Sequence, residues 1–61
     1  MEYVALRTNG LTIVEGSFIS FFRENKRYQG FVTQILNEYE VIVRTIDSDV
    51  HLVALNELQR A

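Results

Sequence analysis

Short β-forming runs, each shut off by a polar turn signal, follow one another along this chain with no proline among them. Asn9-Gly10 is the sharpest of those signals. Both central positions of a type I′ turn need positive φ, which Asn and Gly tolerate, so Tyr3–Arg7 and Leu11–Val14 are expected to pair as an N-terminal hairpin. Glu15-Gly16 ends that ribbon, with a bend at Gly16. Ser17–Phe22 follows, rich in aromatic and β-branched residues and poor in helix formers, and reads as the central strand.

Arg23–Arg27 is polar throughout and contains Asn25, so a hairpin loop is expected there, with Tyr28–Leu36 as the returning strand. Gly30 inside that strand implies a close approach of another segment or a strong bend. Asn37-Glu38 is expected to make a tight turn into Tyr39–Ile46, and Asp47-Ser48-Asp49 to turn the chain once more into Val50–Ala54. The two aspartates read as turn formers that bond their own backbone. Leu55–Leu58 reads as one helical turn that drops Leu58 onto the open end of the core, because nine residues from Leu52 to Arg60 make only a marginal helix.

Side chains alternate between the faces of a strand, which places Ile19 and Phe21 on one side with Val32, Val41 and Val43, joined by Val4, Leu6 and Ile13. That set is the expected core. The opposite parity is unusual: Phe18, Phe22, Phe31, Ile42 and Ile46 stand where a half-exposed antiparallel sheet should carry polar residues. Either a strongly bent strand serves two sheets and buries both parities within one molecule, or the second face meets a subunit or partner.

With 61 residues the chain is expected to be a single domain spanning 1–61, burying only about 60% of the surface of its unfolded form. Domains this small usually rely on disulfides, a metal or association, yet there is no cysteine and one histidine. Tight β-packing or self-association is expected to substitute. Lack of cysteine fits a reducing cytosol, and neither a signal-peptide pattern nor an apolar run of membrane-spanning length is present, so a cytoplasmic, non-membrane protein is expected. Eight acidic against six basic residues give a formal charge of −2, which disfavours a nucleic-acid partner.

Catalysis has little vocabulary to draw on. A nucleophile needs an adjacent base and a group to orient it, and His51 is the single ordinary base. It reads as a satisfied or solvent-facing residue of the last strand. Metal ligands are too few, the three glycines are too dispersed for a phosphate cradle, and no cofactor or small-molecule substrate is implied. The chain is expected not to be an enzyme.

Three stretches carry a resemblance: Gly16-Ser17-Phe18-Ile19-Ser20-Phe21, Gly30-Phe31-Val32-Thr33-Gln34-Ile35 and Tyr39-Glu40-Val41-Ile42-Val43. Together, over Gly16–Leu58, they resemble SH3-like small barrels, in particular KOW- and Tudor-type domains and short uncharacterised bacterial proteins. The resemblance implies an all-β, five-stranded SH3-like barrel in a bacterium or its phage, used to bind RNA, ribosomal or polymerase partners, or peptides. The chain departs from nucleic-acid-binding members in being acidic, and from Tudor domains in lacking an evident aromatic cage.

Two binding surfaces follow. Phe18, Phe22, Phe31 and Ile42 are the candidates for contact with a protein partner or a second copy, the favoured reading. Arg23, Lys26 and Arg27, flanked by Phe22 and Tyr28, combine phosphate-attracting cations with stacking rings, the alternative nucleic-acid reading. Strand edges offer a further route to a protein partner, since no proline and few lysines protect them in the sequence.

Overall fold

The computed structural model describes residues 5–61. Its strands are β1 (Leu6–Thr8), β2 (Leu11–Ile13), β3 (Phe18–Arg23), β4 (Lys26–Ile35), β5 (Glu40–Thr45), β6 (Val50–Ala54) and β7 (Gln59–Arg60), with a single 3₁₀ turn at Leu55–Glu57 between the last two. The described residues are therefore all-β, with no α-helix among them. β1 and β2 form a two-stranded ribbon, and the others form an antiparallel sheet in the order β6-β5-β4-β3-β7.

The turns follow from residues that accept positive φ. Asn9 at +49° and Gly10 at +77° close β1 onto β2, as the Asn-Gly pair requires. Part of the expected first strand, Tyr3 and Val4, lies outside the described residues, and with it the core assignment of Val4. Between β3 and β4 the expected five-residue loop contracts to two residues. Glu24 (+54°) and Asn25 (+66°) make the turn, and Arg23 pairs with Lys26 and Phe22 with Arg27 as strand residues. Polar composition misled here because a hairpin that extends past the core needs no apolar side chains to keep its ladder.

The loop after β4 departs from expectation, and the turn into β6 stands where expected but is held by other groups. Asn37-Glu38 is not a two-residue turn; Asn37 Oδ1 accepts from the Tyr39 amide at 2.8 Å, and Leu36 N–H donates to the Glu40 carbonyl, making a longer Asx-type loop. At the turn into β6, Ser48 takes the positive φ, +72°. Thr45 Oγ1, rather than either aspartate carboxylate, accepts the Asp49 amide at 3.1 Å. Asp47 and Asp49 side chains make no hydrogen bond among the described residues, and both are exposed.

The sheet is strongly rolled, although β6 and β7 remain its unpaired edges. Laid flat, five strands would hold those edges about 19 Å apart at ~4.8 Å per step. From Ala54 to Gln59 the chain has at most about 17 Å of extended reach, and a 3₁₀ turn shortens that further. The sheet must curl for so short a link to cross it. Gly30 makes the tightest approach: a Cβ there would run into the Arg44 carbonyl oxygen and lie 2.7 Å from Thr45 Cα. The close contact expected at Gly30 is present, and β4 also changes register against β5 between Val32 and Gln34.

Inside the roll lie Ile13, Ile19, Phe21, Val32, Val41, Val43, Val53 and Leu58, all buried, with Leu6, Leu11, Tyr28, Ile35 and Leu55 packed against them. The parity reading is met at every described member except Leu6, which is half-buried. Leu58 is fully buried, as the closing turn implies. Asn9 Nδ2 donates to the Leu58 carbonyl at 3.1 Å, tying the tip of the β1–β2 ribbon to that turn. No helix among the described residues is long and apolar enough to cross a membrane.

Candidate functional site

Alternation along β3 to β6 sends Phe18, Phe31, Arg44 and Val50 to the outer side of the roll, and the strand register sets them in one row: Phe18 opposite Phe31, Phe31 opposite Arg44, Arg44 opposite Val50. The next row contains Gln34, Ile42 and Leu52. Phe18 is 44% exposed, Phe31 50%, Val50 63% and Leu52 51%, while Ile42 is half-buried. The two phenyl rings pack on each other, centroids 4.8 Å apart. Burial of both parities within one molecule, one of the two outcomes open to the sequence, does not occur at Phe18, Phe22, Phe31 or Ile46, all of which are exposed, while the β1–β2 ribbon and the 3₁₀ turn pack on the inner face.

The expected quartet is only partly assembled. Phe18, Phe31 and Ile42 share the patch, but Phe22 lies four residues along β3 from Phe18, about 13 Å at strand rise. Ser20 stands between them, fully buried and donating through Oγ to the Arg60 carbonyl at 2.8 Å. Phe22 is 50% exposed, and Ile46, 64% exposed, follows Arg44 by two residues and donates its amide to the Gln29 carbonyl, on the other side of the first row from Ile42. Sequence reasoning missed Leu52 and Val50, whose outward parity was readable from their alternation with His51 and Val53.

The basic and aromatic residues of the β3–β4 hairpin do not converge on one surface. Arg23 Nη2 lies 2.8 Å from Glu57 Oε2 and also donates to the Leu52 carbonyl at 3.3 Å. Lys26 Nζ sits 4.9 Å from the centroid of the Tyr28 ring, and Tyr28 stacks on Phe21 at 5.3 Å. Arg27 lies on the other face, opposite Phe22, and is exposed. Of the three cations, one is held in an ion pair and the other two face different ways.

Strand edges are better protected than the composition implies. Leu55 N–H donates to the Tyr39 carbonyl on the β5 side, so by alternation residues 50, 52 and 54 direct their backbone groups to the open edge of β6. Two of those groups are occupied: the Leu52 carbonyl by Arg23, and the Ala54 amide by Glu57 Oε2 at 3.3 Å. An ion pair thus occupies the edge that a passing strand would need. The opposite edge of β3 is partly paired by β7.

His51 is half-buried, and its Nε2 is not satisfied within the described residues. Its ring lies 4.9 Å from that of Tyr28 and 5.5 Å, edge-on, from that of Phe21, and Nε2 is buried without a hydrogen-bond partner. No hydroxyl, carboxylate or amide among the described residues is hydrogen-bonded to that nitrogen. No group of three or more metal-ligating side chains exists among the described residues. Comparison with family models, with curated proteins and with solved structures found no match.

Proposed function

We propose that this protein is a non-enzymatic protein-binding module, an SH3-like small barrel in architecture, whose contact surface is the outer patch of Phe18, Phe31, Ile42, Val50 and Leu52. The observation that carries the reading is the half-exposed Phe18–Phe31 ring pair, with Ile42, Val50 and Leu52 on the same outer side of the neighbouring strands. A β-sheet face left to water should alternate to polar residues, and aromatic rings left in solvent forgo the burial that stabilises a small domain. The barrel reading draws on the rolled sheet, the single 3₁₀ turn that links its two edges and the Arg23–Glu57 pair that draws β3 towards β6. A bacterial or phage host rests on the family resemblance, and a cytoplasmic setting on the lack of cysteine.

The nucleic-acid alternative, through Arg23, Lys26, Arg27 and Tyr28, ranks below it. One of the three cations is already neutralised, and the ring that would stack on a base stacks on Phe21. Three cations would in any case release few counterions.

The test is comparative. Wild type, a Phe31→Ser variant and a charge reversal of Lys26 and Arg27 are carried through affinity capture with mass spectrometry, sedimentation, and titration with a fluorescent single-stranded RNA at two salt concentrations. Associations lost in Phe31→Ser and kept in the charge reversal support the outer patch. Salt-sensitive RNA binding that disappears with the charge reversal, with associations unchanged in Phe31→Ser, overturns it.

A further inference from the structure

We infer that the occupant of the outer patch is a second copy of this chain, docked face to face about a two-fold axis that lies across the strands at Ile42. The inference rests on the outer patch being a contact surface, and it adds the partner and the register.

Along the outer side of β5 the chain presents Glu40, Ile42 and Arg44, an acid and a base equally spaced about an apolar centre. Among the described residues Arg44 has no ion-pair partner, and Glu40 is engaged only by Asn37 Nδ2 at 3.1 Å. Two faces meeting in a homodimer must be self-complementary, residue i of one copy meeting residue j of the other and the reverse.

Among the in-plane axes through Ile42, the two aligned with the sheet pair its charges in opposite ways. An axis running along the strands stacks Arg44 on Arg44 and Glu40 on Glu40, which like-charge repulsion rejects. An axis across the strands reverses one copy against the other and sets Arg44 over Glu40 twice.

The remaining outward residues agree with the second arrangement. Gln34 and Leu52, which flank Ile42 in the register, then meet their own copies. Phe31, opposite Arg44, meets Leu36, which follows Gln34 by two residues and lies beside Glu40 through its amide bond to the Glu40 carbonyl. Leu36 is 42% exposed, so an apolar side chain is available for the ring to cover. Val50, opposite Arg44 on the other side, meets Ala54, opposite Glu40. Every outward apolar residue of β4, β5 and β6 between the two charge pairs thus receives an apolar counterpart. Sheets packed in this way lie about 10 Å apart, a gap that an arginine and a glutamate span together.

The experiment is sedimentation equilibrium across micromolar to millimolar loading, on wild type, Phe31→Ser, Glu40→Arg, Arg44→Glu and an equimolar mixture of the last two. Both charge positions are at the surface, and circular dichroism verifies that each variant folds. Wild type is expected to dimerise, and each charge variant alone to dimerise about a hundredfold more weakly or not at all, because both inter-copy pairs become repulsive. In the mixture one pair is again Arg44 over Glu40 and the other is the same pair with its charges exchanged, so both are attractive and a heterodimer of near wild-type affinity is expected. A monomeric wild type at every loading, or a mixture that stays as weak as its components, overturns the inference. Loss of association in Phe31→Ser while both charge variants dimerise normally leaves the patch as a contact surface and rejects this register. Undiminished association in Phe31→Ser rejects the patch itself.

Discussion

Arg23 Nη2 sits 2.8 Å from Glu57 Oε2, and the pair lies along the open edge of β6, Arg23 donating to the Leu52 carbonyl and Glu57 accepting from the Ala54 amide. β3 and β6 are separated in the sheet by β4 and β5. A side chain on one can reach the edge of the other only because the sheet is rolled. One ion pair therefore links curvature to edge protection, at a strand that ordinary composition would leave open to pairing.

Loss of that pair should affect association more than stability. Both side chains are about one-third exposed, and solvent-screened pairs contribute about 1 kcal/mol or less. Arg23→Ala and Glu57→Gln are expected to shift urea unfolding by no more than that, while raising the rate of light-scattering aggregation. A variant that aggregates no faster than wild type removes the edge-guard role.

Gly30→Ala is expected to destabilise the fold severely. The new Cβ would strike the Arg44 carbonyl oxygen and sit 2.7 Å from Thr45 Cα, and both obstacles are backbone. Neither can swing aside as a flexible side chain would. Overpacking of this kind costs about 1–3 kcal/mol or more, a large share of what a domain this small has. Thermal unfolding by circular dichroism measures it, and an unchanged midpoint would show that β5 can shift away freely.

Phe21 and Phe31 should separate core from contact surface. Phe21 is fully buried and Phe31 is 50% exposed. Phe21→Ala is expected to lose about 3–5 kcal/mol and leave little folded protein. Phe31→Ser is expected to change monomer stability by about 1 kcal/mol or less while improving solubility. Equal losses in denaturant titrations would mean that the outer ring also supports the fold.

His51→Leu is expected to stabilise the domain by about 1 kcal/mol. The Nε2 atom is buried among the Phe21 and Tyr28 rings with no partner, so the native residue carries a desolvation cost that an apolar side chain of similar size avoids. A lower unfolding midpoint for His51→Leu would show that the imidazole contributes more through its ring contacts than its orphaned nitrogen costs.

How far the chain could be read in advance varied with the range of the interaction involved. The Asn9-Gly10 turn was legible because positive φ is a property of the residues themselves, and Gly30 because absence of a side chain has few uses inside a strand. The contracted β3–β4 turn was not, since Glu24 accepts a φ of +54° only as part of a ladder whose pairing lies elsewhere. Val53, outside the expected core, is fully buried, its place set by pairing with Val41 across β5 and β6.

Alternation by itself determined that this chain makes β-strands, which side chains line the interior from Ile13 to Val43, and that too many apolar residues exist for one face to hold. Side-chain period is local, set by backbone geometry at each residue. Only the tertiary structure decided that Phe18, Phe31, Ile42 and Leu52 form one exposed patch while Phe22 stands apart, and that Arg23 faces Glu57 rather than solvent. Those outcomes depend on register and on the curl of the sheet, which join residues 29 and 34 positions apart through contacts that no single stretch of sequence contains.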